Sequence, residues 1–128
     1  MDHIVIAGTP RSPEIDFDFA TNRFAIRGES YPEDVAAFYA ELLRRMEQHL
    51  AALTDADVEF RFEFIYFNSS TAKVLMELFE ALDAAAARGN RVQVRWAYEK
   101  DDANVQELGE EFGEELQHAR FSIEEMPT

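Results

Sequence analysis

Val58–Phe79 reads VEFRFEFIYFNSSTAKVLMELF, and the fold turns on how its apolar spacing changes partway. Val58, Phe60, Phe62, Phe64 and Tyr66 recur at two and share one strand face, with Glu59, Arg61 and Glu63 opposite. Ile65 and Phe67 make the far end apolar on both sides. From Val74 the spacing becomes three and four, through Leu75, Leu78, Phe79 and Leu82, until Gly89-Asn90 supplies a left-handed helix stop. A strand therefore passes directly into a helix. A strand apolar on both faces at its far end is expected inside a sheet covered by helices on both sides, or by a partner.

Upstream, Ile4 and Ile6, Ile15 and Phe17, and Phe24 and Ile26 alternate with polar or small neighbours in three short runs, separated by Pro10, Pro13 and Asn22. Ser30-Tyr31-Pro32-Glu33 has the spacing of a capping box, which predicts a helix start there. Val35, Phe38, Tyr39, Leu42, Leu43, Met46, Leu50 and Leu53 then mark its buried face, to an end near Thr54-Asp55. Downstream, Val92, Val94, Trp96 and Tyr98 alternate as a further strand, with Trp96 and Tyr98 expected in the core. Asp101-Asp102 opens a third helix, and Phe121 and Ile123 form a last short strand. The order β-β-β-α-β-α-β-α-β predicts an α/β domain: a mixed sheet of about six strands, three main helices, and right-handed crossovers between parallel strands. With 128 residues, 47% of them hydrophobic, and no repeat or linker, residues 1–128 are expected to form a single domain.

Lys and Arg number 12 against 26 Asp and Glu, a net charge of -14 that repels nucleic-acid phosphates and anionic lipid headgroups. Nucleic acid and membrane surfaces are therefore excluded as partners. Met1-Asp2-His3 does not begin a secretory signal and no apolar run approaches a membrane span, so cytoplasmic residence is expected. The absence of cysteine removes disulfides, thiolate chemistry and Cys-ligated zinc. His3, His49 and His118 fall on different elements without ligand spacing, and neither a G-x-G-x-x-G nor a Walker sequence occurs; no metal or cofactor is expected. Glu107, Glu110, Glu111, Glu114 and Glu115 read as a solvated helix face or an acidic docking surface for a basic partner.

Asn68-Ser69-Ser70-Thr71 remains. One of these residues suffices as the cap of the second helix, yet four stand together where a strand hands over to a helix, the place where anions gather in open α/β sheets. Three readings stand open: a cap alone, a Ser69 nucleophile in a small hydrolase or transferase, or a phosphoryl acceptor stabilised by helix amides and by Lys73 one turn on. The nucleophile reading has no assignable general base.

The stretches FDF…FAIRGESYPEDVAAFY, FIYFNSSTAKVL, VRWAYEKDD and GEEF together resemble the SiaC family of bacterial regulatory phosphoproteins, over essentially the whole chain. That family looks like a relative of STAS-domain anti-sigma factor antagonists, with Asn68 standing where those antagonists carry Asp. The resemblance implies a STAS-like fold and a partner switch rather than an enzyme. A kinase with a histidine-kinase-like ATPase fold would phosphorylate Ser69, with Ser70 and then Thr71 as the next candidates. A PP2C-type phosphatase would reverse this, and the dephosphorylated form would bind and activate a diguanylate cyclase in cyclic di-GMP signalling and biofilm control. An anti-sigma kinase is the alternative partner. Asn68, Ser69, Ser70, Lys73, Tyr31, Pro32 and Glu33 are the expected partner-binding residues.

Overall fold

The alternating runs before the first helix fold as β1 (His3–Ile6), β2 (Glu14–Asp18) and β3 (Arg23–Ser30), antiparallel in sequence order, in a computed structural model that describes residues 3–127. Then follow α1 (Val35–Ala52), β4 (Asp57–Phe67), α2 (Ser69–Ala87), β5 (Arg91–Tyr98), α3 (Ala103–Glu114) and β6 (Arg120–Glu125). The six strands lie in the sheet in chain order, and β3, β4, β5 and β6 run parallel. The element order and the mixed sheet agree with the pattern read from the sequence. Among the described residues no helix is long and apolar enough to cross a membrane.

The expectation of helices on both faces is overturned by topology. Each crossover advances one strand in the same direction, so connections of one hand deliver α1, α2 and α3 to one face. That face holds the core: Phe60, Phe62, Phe64 and Trp96 have no exposure, and Phe79 of α2 and Phe112 of α3 close on them at ring separations of 5.2–6.3 Å. Opposite, the sheet presents ion pairs that link its strands, Glu14–Arg27–Glu63–Arg61–Glu124 from β2 through β3 and β4 to β6, and Arg95–Glu59 between β5 and β4.

The pairing of β3 with β4 slips at one point. Gly28 lies opposite Phe64 but Glu29 lies opposite Tyr66, so β4 carries Ile65 as an extra residue and Gly28 takes a positive φ of 111°. The bulge resets the alternation: Phe67 turns into the core at 8% exposure, while Ile65 and Tyr66 point outward at 45% and 50%. Tyr66 therefore does not share the face of Val58 to Phe64, and the doubly apolar look of the strand end comes from the bulge rather than from burial.

The start of α1 also differs from the sequence reading. Ser30 is still paired to Phe67 in the sheet, so it cannot act as a cap; Asp34 does, its Oδ1 accepting from the Ala37 N–H at 3.0 Å. Gly89, with φ 104°, ends α2 as expected, and the buried Asn90 amide donates to the Ala85 and Leu53 carbonyls.

Candidate functional site

Asn68 is the cap of α2. Its Oδ1 accepts from the Thr71 N–H at 2.9 Å, which orients the first turn and leaves Ser69 and Ser70 at its exposed start. Thr71 points the other way and has no exposure. Its hydroxyl donates to the Ser30 carbonyl at 3.0 Å, and the same carbonyl accepts from the Asn68 N–H at 3.1 Å.

Proton counting orders the rest of this cluster. A hydroxyl has one proton to give. With the Thr71 proton committed to the Ser30 carbonyl, Thr71 Oγ1 accepts from Ser30 Oγ at 3.0 Å, and Ser30 Oγ in turn accepts from the Tyr39 O–H at 2.7 Å. The chain Tyr39→Ser30→Thr71 joins α1, the end of β3 and the first turn of α2 in a fully buried line. Burial pushes the Tyr39 phenol up to about 12. The segments GESYPE and YFNSST are thus one assembly: Ser30 of the first stitches down Asn68 and Thr71 of the second.

The other candidate residues gather around it. A shallow groove of about 480 Å³ is lined by Pro32, Glu33 and Asp34 on one side and by Asn68, Ser70, Lys73 and Glu77 on the other. Tyr31 lies outside that lining and meets Tyr66 edge-on, ring centroids 5.7 Å apart. Spacing brought Lys73 and the hydroxyls to one helix turn, but the exposed Ile65–Tyr66 pair escaped it, because only the bulge turns both outward. Ser30 and Tyr39 escaped it too; the one available signal was a hydroxyl residue at the buried end of a strand. Thr71, third of the candidate acceptors, is sealed within the fold.

Among the described residues no imidazole or carboxylate is hydrogen-bonded to the Ser69 or Ser70 hydroxyl. His3 bonds Asp16 and His49 bonds Asn22, each at 2.6 Å, while the exposed His118 gives its backbone N–H to Asp83. The arrangement presents exposed hydroxyls at a helix start, and among the described residues none of them is hydrogen-bonded to a group that could act as a general base. No group of acidic or histidine side chains among the described residues has the makings of a metal centre.

Comparison with known proteins agrees with this geometry. Residues 6–126 match the family described as SiaC family regulatory phosphoprotein. An uncharacterized protein of Pseudomonas aeruginosa (strain UCBPP-PA14) is 31% identical over 115 residues, 90% of each chain. The crystal structure of apo-SiaC from Pseudomonas aeruginosa superposes with a TM-score of 0.86 at 32% identity, covering 97% of this chain and 99% of that one. SiaC bound as activator to the diguanylate cyclase SiaD, from the same organism, gives a TM-score of 0.88 at 30% identity over 96% and 99%. Fold, the paired GESYPE and YFNSST segments and the near end-to-end match lead to one conclusion: the chain belongs to the SiaC family of regulatory phosphoproteins.

Proposed function

We propose that the chain is a non-enzymatic cytoplasmic switch. Ser69, or Ser70 beside it, accepts the γ-phosphoryl group of ATP from a kinase with a histidine-kinase-like ATPase fold, and ADP leaves. A PP2C-type phosphatase hydrolyses the phosphoester, and the dephosphorylated form binds and activates a diguanylate cyclase. The observation that carries this reading is the contrast within one helix turn: Thr71 is anchored with no exposure while Ser69 and Ser70 stand open. An exposed hydroxyl on an anchored turn is open to a kinase, and the SiaC–SiaD complex of the relative supports a diguanylate cyclase as the class of effector.

Electrostatics make the modification decisive. A phosphoserine adds about 1.5 to 2 negative charges at the first turn of α2, where Ser70 lines a groove with the exposed Glu33 and Asp34, on a protein already at -14. A partner docking over that turn then has to desolvate a dianion, and a change of about 3 kcal/mol alters affinity more than about a hundredfold.

The test pairs mass spectrometry with cyclase turnover. Ser69→Ala is expected to lose the phosphoryl mass shift and to activate the cyclase whether or not kinase and ATP are present. Ser69→Asp is expected to lose about a hundredfold in cyclase affinity. Continued phosphorylation of a Ser69→Ala/Ser70→Ala protein, or undiminished activation by Ser69→Asp, would refute the switch.

A further inference from the structure

On the helical side of the molecule α1 packs closely along α2, whereas α3 stands further off, and a second groove of about 620 Å³ opens between α2 and α3. Its apolar lining comes from Met76, Phe79, Ala84, Ala87, Phe112 and Leu116, with Met76 exposed to 53%. Its rim is acidic: Glu80 of α2, Glu111 of α3 and Glu115, the C-cap of α3, are exposed, and among the described residues their carboxylates bond to nothing. Asp83 is not part of that free charge. Its carboxylate accepts from the N–H groups of Gln117, His118 and Ala119; burial opposes ionisation there, but these bonds prevail and hold it below the usual carboxylate range.

Backbone dipoles add to the rim. Because β4, β5 and β6 are parallel, α2 and α3 point the same way, and the groove is built from the C-terminal half of α2 and the C-terminal end of α3. The negative dipole end of α3 therefore meets the unpaired Glu111 and Glu115, an arrangement that opposes helix stability, while Glu80 stands two turns before the α2 C-terminus. Neither helix has a basic residue in its last turn, and Arg88, the C-cap of α2, sends its guanidinium to the Leu50 carbonyl on the α1 side. The charge chooses among occupants. A second copy, also at -14, and an anionic membrane are both repelled. An apolar trough between like-charged rims fits an amphipathic helix with an apolar stripe and basic flanks.

We infer that the α2–α3 groove is a docking surface for a basic amphipathic helix of a partner protein, separate from the phosphorylated turn and insensitive to it. Met76 lies seven residues beyond Ser69, about 10 Å along the helix axis, already beyond the Debye length of about 8 Å at physiological salt, and Glu80 lies a turn further.

The probe is a synthetic helix of about 18 residues, long enough to span the groove, with a leucine stripe and Lys/Arg flanks, compared with a counterpart carrying Glu flanks. Amide chemical shifts of the full chain are expected to move at Met76, Ala84, Ala87 and Glu111–Leu116 with the basic peptide alone. Affinity should fall at least about tenfold in the exposed-site variant E80K/E111K/E115K, likewise in Met76→Asp, and remain within about twofold in Ser69→Asp. Equal binding of both peptides, shifts centred on Ser69, groove shifts produced by raising protein concentration alone, or loss of binding in Ser69→Asp would each overturn the inference.

Discussion

Thr71 holds the first turn of α2 while Ser69 and Ser70 stand exposed on it. Replacing it by valine keeps its volume but removes the donor to Ser30 and the acceptor of the Ser30 hydroxyl. Stability is expected to fall by about 2 kcal/mol, measured by urea denaturation, with amide exchange quickening at residues 68–71. Tyr39 offers a pH test of the same buried line. Its phenol titrates near 12 in the folded protein against an ordinary value of 10.0, so folding favours the neutral form. That preference is fully present below pH 10 and is lost as pH rises through about 12, a contribution of about 3 kcal/mol. Tyr39→Phe should therefore flatten the alkaline loss of stability between those two pH values, and an unchanged alkaline profile would place its cause elsewhere. The candidate hydroxyls were legible at this level because small polar residues crowd one junction. Their support was not, because Ser30 and Thr71 meet across 41 positions and no local spacing encodes that contact.

Elements were legible where periodicity alone decides them, as in β4, α2 and β5, and misread where a neighbour intervenes. The bulge at Ile65 belongs to the β3–β4 pair, and the start of α1 moved to Asp34 because sheet pairing claimed Ser30 first. The side of the sheet that receives each helix is a property of three successive crossovers and cannot be read from the apolarity of one strand. Helix α3 shows the same dependence on neighbours through its glycines. A Cβ at Gly109 would overlap the Trp96 indole, and one at Gly113 the Phe121 ring, so α3 lies on β5 and β6 closer than a side chain permits. Trp96 cannot yield, being fully buried with its Nε1–H donated to the Val105 carbonyl at 3.0 Å. Gly109→Ala gains about 1 kcal/mol of helix propensity but forces overpacking of about 1–3 kcal/mol. The expected outcome is a net loss of stability with a lower urea midpoint, and a raised midpoint would mean that α3 shifts freely on the sheet.

For the molecule as a whole, charge sets two effects against each other. The open sheet face is laced by ion pairs, Arg27 with Glu14 and Glu63, Arg61 with Glu63 and Glu124, Arg95 with Glu59, whose members are partly exposed and individually worth at most about 1 kcal/mol. Against them stands an excess of acids over bases of 26 − 12 = 14, which strains the compact state by self-repulsion and includes the carboxylates of the α2–α3 rim and those beside the first turn of α2. Added sodium chloride screens both, weakening the ladder and relieving the repulsion. The unpaired excess outnumbers the bridged carboxylates of that face, Glu14, Glu59, Glu63 and Glu124, and a surface pair loses little when screened, so relief of repulsion should win. The thermal midpoint is therefore expected to rise steadily from about 0.01 to about 0.3 M sodium chloride, the range over which the Debye length shrinks from about 30 Å to well under 10 Å. Ser69→Asp, adding one more negative charge to the acidic end of that field, should steepen the dependence. A midpoint that falls with salt would make the sheet-face ladder the dominant electrostatic element of the fold.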